Sequence, residues 1–399
     1  MATTTRPGRG AAAKRADSVG PPEQGWVVPL SDVRVDEEIE QAAVAAVRSG
    51  WWSMGPRVAQ LEAEFAAFCG VKHAFAVANG TAALDLALSA VGCGAGDEVV
   101  VPSLNFVAAA NTICHTGATP VFCDVGGADD LNLDPRDVAR AIGPATRALV
   151  VMHYGGHPCR MDEILELAQT AGITIVEDAA HAPGATWRGQ SCGTMGEVGC
   201  FSFFSNKNLP TGEGGMVVTD DDALAEKIRL LRSHGMTTLT WDRHRGHANS
   251  YDVVTHGYNY RLDEIRAAIA SVQLKRLPDA NARRAQLVAF YRESLDGVNG
   301  LVMPFAPRPE SEAAHHLAVV VLPDGSARDD VRSSMAAEGV QTSVHYPPIH
   351  EFTAYRSLEK KRPLPATEAL ASRLLTLPLY PHMTEPDVGI VVSALLAAT

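Results

Sequence analysis

Downstream of Val27 the chain switches repeatedly between two hydrophobic periods. From Asp36 to Ser49, Ile39, Ala43, Ala46 and Val47 recur at helical spacing and Gly50 follows, which predicts a helix closed by a glycine. Residues 57–68 repeat the pattern, with Val58, Leu61 and Phe65 on one face. Short apolar runs bounded by turn residues then predict strands over 74–78, 98–102, 120–124, 147–152 and 173–178. Helical stretches separate them, over 82–90, from Ser103 to about His115, and from the Asp134-Pro135 pair, where proline suits a first helical turn. Strands alternating with helices through residue 235 predict βαβ units and a mainly parallel sheet.

Beyond about residue 275 the pattern changes. A long helix carrying Leu274, Leu277, Leu287 and Phe290 leads to a strand over 315–322. A helix over 329–338, a strand over 340–344 and a last helix from Glu385 follow. The expected organisation is a disordered tail over 1–26, a large α/β domain over 27–274 and a small α/β domain over 275–399.

Composition narrows the class only a little. A chain of 399 residues, 46% hydrophobic and 20% charged, is long enough for a large core and two domains. A net charge of -12 argues against nucleic acid as a partner. Seven scattered cysteines without a CxxC pair suggest buried thiols in a reducing cytosol rather than disulfides or zinc. No apolar run reaches membrane-spanning length, and no apolar stretch follows the basic residues Arg6, Arg9, Lys14 and Arg15, so the expected location is cytoplasmic.

Candidate chemistry gathers around residues 201–219. An apolar run there ends in Lys207, a Gly-rich turn follows (Gly212, Gly214, Gly215), and a strand begins at Met216. A lysine held among buried strands must be paired or must lose part of its basicity. Such a lysine suits Schiff-base chemistry with a carbonyl compound; it equally suits a strand end from which it snorkels to water. Upstream, the strand that ends in Glu177 and Asp178, followed by His181, puts acids where open α/β sheets bind ligands. The strand before Asn79-Gly80-Thr81 and the helix after it would make an anion site of the helix N-terminus. Arg243, His244, Arg245 and His247 lack a clean metal-ligand set and read as a mobile basic loop or as a diphosphate contact. Trp51 and Trp52, before Gly55-Pro56, read as packing anchors, and His153 and Tyr154 follow a strand end that borders a pocket.

Together, Val-Glu-Asp-Ala-Ala-His-Ala (176–182), Ser-Phe-Phe-Ser-Asn-Lys-Asn (202–208) and Thr-Gly-Glu-Gly-Gly (211–215) resemble the DegT/StrS family of pyridoxal-phosphate-dependent sugar aminotransferases. Gly-Tyr-Asn-Tyr-Arg at 257–261 matches as well, and the resemblance runs from about residue 27 to 399. It implies an α/β fold, fold type I, with a mainly parallel central sheet flanked by helices and a smaller C-terminal α/β domain. It implies that Lys207 carries pyridoxal 5'-phosphate as a Schiff base and moves the proton, and that Asp178 partners the pyridine nitrogen. His181 is placed near the ring hydroxyl, Phe106 against the ring, and Gly80, Thr81 and Ser202 at the phosphate. Asn259 is placed at the phosphate of the neighbouring subunit, so a homodimer with shared active sites is implied. The activity implied moves an amino group from glutamate or glutamine to a keto sugar, nucleotide-linked, in amino-sugar or natural-product biosynthesis. A cyclitol (inosose) aminotransferase shares every cofactor residue, and a non-catalytic regulatory protein that binds the cofactor is the alternative outside catalysis. Two positions depart from the pattern. Asn105 stands where the family commonly has threonine, and Phe204 where many members have histidine, which leaves the sugar open.

Overall fold

The computed structural model describes residues 25–238, 241, 250–358 and 362–399. The expected tail up to residue 24, and Arg243, His244, Arg245 and His247, lie outside the described residues.

A seven-stranded sheet carries the molecule. Its strands are β1 (His73–Val77), β2 (Glu98–Pro102), β3 (Thr119–Cys123), β4 (Thr146–Met152), β5 (Thr174–Asp178), β6 (Val198–Ser202) and β7 (Gly215–Thr219). Their order is β1-β7-β6-β5-β4-β2-β3, and only β7 runs antiparallel to its neighbours. Central strands are buried along their whole length, as in β2, β6 and β7, which is why they read as continuous apolar runs rather than as alternating ones.

Helices cover both faces. They are α1 (Glu37–Arg48), α2 (Pro56–Cys69), α3 (Gly80–Ala90), α4 (Ala108–Thr116), α5 (Pro135–Ala141), α6 (Met161–Ala171) and α7 (Asp222–Arg232). The predicted starts follow from local chemistry: Asp36, Asn79 and Asp134 each accept a backbone N–H of the first turn. One face of the sheet packs α3 and α4, through Leu84, Leu88 and Ile113; the other packs α2, through Leu61 and Phe65.

Helix α8 (Glu264–Ser294) runs unbroken through position 275, with Pro278 inside it. It buries the polar Asn281 and Arg284 beside Leu277 and Leu287. Those polar residues blur the helical period that its leucines announce. The C-terminal layer pairs β8 (Ala318–Val321) antiparallel with β9 (Leu374–Leu377), backed by α9 (Arg328–Ala337), α10 (Pro365–Ala371) and α11 (Glu385–Ala398).

Here the structure differs from the sequence reading. Residues 340–344 make only isolated bridges, Val28 with Val340 and Ser343 with Thr376, whereas the strand beside β8 comes from Leu374–Leu377. Both segments are short, the first mixed (Val-Gln-Thr-Ser-Val) and the second apolar, and pairing decides between them; pairing is not encoded in either alone. The seven cysteines are all free; six are buried and Cys114 is exposed. No helix among the described residues is long and apolar enough to cross a membrane, and no group of metal-ligating side chains occurs among them.

Candidate active site

The carboxyl ends of β1, β2, β4, β5 and β6 open onto one cavity of about 400 Å³, where the sequence places its candidate residues. Gly80, Thr81, Phe106, Asp178, His181, Ser202 and Lys207 all line it, joined by Phe204. Asn259 does not. It is exposed and pairs with Ser233 away from the cavity of its own chain.

On one wall, Asn79 caps α3 with its side chain on the N–H of Ala82, at 2.8 Å. That leaves the amides of the first turn and the positive end of the helix dipole at the cavity, with Gly80 and Thr81. Gly80 is required by contact: a Cβ there would sit 2.7 Å from Ser202 Cβ. The glycine lets the helix start and the end of β6 meet.

The two acids at the end of β5 part ways. Glu177 is fully buried on the far side, accepting from the N–H groups of Gly193 (2.7 Å), Met195 (2.6 Å) and Gly196 (2.6 Å) and meeting His153 Nε2 at 2.8 Å. His153 Nδ1 accepts from Cys159 N–H, so the imidazole donates to the carboxylate. His153 and Glu177 are therefore framework rather than cavity wall. Asp178 alone faces the cavity; burial pushes its carboxyl up, opposed by the N–H of Ala180, by Lys207 and by Asn105.

Lys207 is half-buried and opens onto the cavity. Burial draws its pKa down to about 8, with Asp178 pulling the other way. Its nitrogen lies 3.5 Å from Nε2 of His316. His181 donates from Nε2 to the hydroxyl of Tyr346 at 2.9 Å, because the N–H of Gly155 approaches its Nδ1 at 3.3 Å. Burial keeps His181 and His316 neutral, and the cation at Lys207 adds to this.

His316, His345 and Tyr346 are the residues that sequence reasoning undervalued. His345 and Tyr346 line the cavity with Phe106, whose ring is 5.8 Å from that of Tyr346. Tyr154, by contrast, is buried away from the cavity and donates its hydroxyl to the carbonyl of His345. Trp51 donates to the carbonyl of Met54 and packs at 4.8 Å against Trp241, as an anchor would.

An acid and a lysine of lowered basicity, set with a helix N-terminus at the strand ends of such a sheet, define a fold type I pyridoxal-phosphate transferase. More narrowly, the chain belongs to the DegT/DnrJ/EryC1/StrS aminotransferase family, whose model matches residues 33–396. It is 41% identical over 374 residues to the spore coat polysaccharide biosynthesis protein SpsC of Bacillus subtilis (strain 168), covering 92% of this chain and 96% of that one. Among solved structures it resembles the aminotransferase TlmJ of Streptoalloteichus hindustanus, at a TM-score of 0.87 and 36% identity over 93% of this chain and 98% of that one. DesV of S. venezuelae superposes at a TM-score of 0.83 and 40% identity, over 90% and 94% of the two chains. The PLP-form of the sugar aminotransferase Spr1654 of Streptococcus pneumoniae reaches a TM-score of 0.86 at 27% identity, over 93% and 98%. The protein is thus a pyridoxal-phosphate-dependent aminotransferase of a family of sugar aminotransferases.

Proposed function

We propose that this chain transfers an amino group from glutamate or glutamine to the carbonyl carbon of a nucleotide-linked keto sugar, with Lys207 and Asp178 as its catalytic residues. The observation that carries the reading is their placement: both face one cavity whose wall is the start of α3. The residues fit the cofactor. Gly80, Thr81 and Ser202 form a cradle for its phosphate, Asp178 is the acid for its ring nitrogen, and Phe106 supplies an aromatic face. When bound, the cofactor supplies a carbonyl for the amine and an electron sink for the deprotonated carbon.

The chain's own residues do the rest. Asp178 holds a proton at the ring nitrogen, a task that suits a carboxylate buried beside a cation. Lys207, with a pKa of about 8, is neutral in a useful fraction of molecules near neutral pH and can both take and return a proton. His181, neutral and held by Gly155 and Tyr346, orients the polar edge of the site. Phe204, 44% exposed at the mouth, gives the acceptor an apolar contact where a histidine would give a polar one.

Two copies sharing active sites complete the reading. Its support is Asn259, which is exposed and outside the cavity of its own chain. Relatives named for spore coat polysaccharide biosynthesis and for sugar amination favour a sugar over a cyclitol as acceptor.

Borohydride reduction of the cofactor-loaded protein, followed by peptide mass spectrometry, tests the site. The expected adduct is on Lys207; an adduct elsewhere sinks the assignment. Loss of the visible cofactor band on adding L-glutamate or L-glutamine then tests the donor. Nucleotide-linked keto sugars against inososes test the acceptor, and turnover of inososes alone would replace this reading with a cyclitol enzyme.

A further inference from the structure

His316 comes from the segment before β8, more than a hundred residues from Lys207, yet its Nε2 is 3.5 Å from the lysine nitrogen. What that nitrogen offers depends on which ring nitrogen carries the proton, and a chain of hydrogen bonds decides this. The carbonyl of Ala314 can only accept, so the amide group 2.7 Å from it must be Nδ2 of Asn208. The carbonyl of Pro183 fixes Asn281 likewise: its Nδ2 donates there at 2.9 Å, and its Oδ1 accepts the other proton of Asn208 at 2.8 Å. Both amide protons of Asn208 are then spent, and its oxygen is what lies 3.1 Å from Nδ1 of His316. Nδ1 therefore carries the proton, and Nε2 turns a lone pair towards Lys207.

The backbone is built for the approach. The carbonyl of Gly155 accepts from His316 N–H at 2.8 Å, and that of Gly156 from Ala314 N–H at 2.9 Å. A Cβ on Gly156 would lie 2.7 Å from the carbonyl oxygen of His181 and 3.0 Å from the nitrogens of His315 and His316. His315 itself takes a left-handed φ of 48, uncommon outside glycine. The same glycine turn thus sets His181 and His316 against each other, their rings 4.4 Å apart.

We propose that His316 is a positioning residue for Lys207: its neutral imidazole, locked in one tautomer by Asn208, holds the lysine nitrogen whenever it is not bound to cofactor and stabilises its ammonium form. The groups around the pair are Asp178 from β5, His181 from the turn after it, Arg284 from α8, and His345 and Tyr346. Among them only Asp178 is an acid; Glu213 also lines the cavity, and Asp32, Asp36 and Asp279 line a second hollow that Lys207 reaches, but Asp178 is the acid that acts on the lysine. The rest of the groups around the pair are cationic or neutral, so His316 has no partner that favours its own protonation, and it stays an acceptor. The lysine released in each half-reaction keeps its place, and its proton affinity is set by two groups instead of one. This inference rests on Lys207 being the cofactor-bearing residue.

The test is the pH dependence with which full-length apoenzyme takes pyridoxal phosphate into covalent linkage, since only the neutral amine attacks. His316→Phe keeps a ring and loses the acceptor; its midpoint is expected to fall by about one pH unit, about tenfold more neutral amine below both midpoints. His316→Gln returns an acceptor at the reach of Nε2 and is expected to bring the midpoint back towards that of the wild type. A role in packing alone would change rates or yield and leave all three midpoints together, which would overturn the proposal. Should His316→Phe not fold, ¹⁵N–¹H spectra of histidine-labelled wild-type apoenzyme decide, with His316 assigned by its loss in His316→Gln. A proton on Nδ1 supports the lock, and a proton on Nε2 overturns it. Wild-type apoenzyme that links no cofactor at any pH refutes Lys207 itself and takes this inference with it, whereas linkage with unmoved midpoints refutes only His316.

Discussion

The hydroxyl of Tyr346 lies 2.9 Å from Nε2 of His181, joining a residue after the end of β5 to one 165 positions later in the chain. Because the histidine donates, the tyrosine's own proton is left for the cavity that both residues line. Tyr346→Phe strands a buried donor on His181, which costs about 1–3 kcal/mol. Turnover is expected to fall about tenfold to a hundredfold with the fold intact, as steady-state kinetics and circular dichroism would show.

Asp178→Asn preserves shape and removes the charge that the proposed mechanism uses to keep a ring nitrogen protonated. The half-reaction with the amino donor should slow by about 10² to 10⁴, the range of a lost acid–base partner. Stopped-flow absorbance after donor addition measures it, and a rate within a few-fold of the wild type would remove Asp178 from the mechanism.

Glu177→Gln, one residue away, should behave differently. Its carboxylate accepts three backbone N–H groups around residues 193–196 and one from His153, outside the cavity. Stability is expected to drop by about 2–3 kcal/mol in denaturant titrations, while the per-site rate of the protein that remains folded changes little.

Gly80→Ala forces a Cβ to 2.7 Å from Ser202, so α3 must move away from the end of β6. Cofactor affinity should weaken by about tenfold or more, read by titration of apoenzyme, with a loss of about 1–3 kcal/mol in stability. Unchanged affinity would mean that the phosphate is held elsewhere.

The depressed pKa of Lys207 also has a sign. In the unfolded chain it titrates near its ordinary value of 10.5, and in the folded apoenzyme at about 8. Between those values the unfolded state binds more protons, so the folded apoenzyme gains stability as pH rises from about 8 towards 10.5. Lys207→Met should flatten the slope across that window in denaturant midpoints taken at several pH values.

The strand-end half of the cavity was legible because its residues sit in runs whose local pattern is itself informative. Asp178 ends an apolar strand, Gly80 follows one, and Lys207 interrupts two. The other half was not. His316 lies beside an apolar run that reads only as a strand, and nothing in that run points across the molecule to Lys207. Tyr346 and His345 follow a run that says nothing of the cavity, since their position follows from how the C-terminal layer docks. The same cause misplaced a strand: Leu374–Leu377 pairs with β8 and residues 340–344 do not, a choice made by neighbours rather than by composition. Glu177 and Asp178, adjacent and chemically alike, could be told apart only by the opposite faces of the sheet on which their side chains emerge.

Helix α8 has a consequence for anyone who would harden this enzyme. Arg284 is 5% exposed, makes no ion pair with a carboxylate among the described residues, and has its pKa drawn down to about 10; Asn281 is buried a turn earlier. Selection for heat resistance alone would favour leucine or methionine at both places, where the flanking turns already bury Leu277 and Leu287. Yet Asn281 is what orients Asn208, and the price of a tougher helix would be a loosened lysine. Thermal tolerance and turnover are expected to trade against each other at these turns, and libraries screened only for melting temperature should drift towards robust, idle protein.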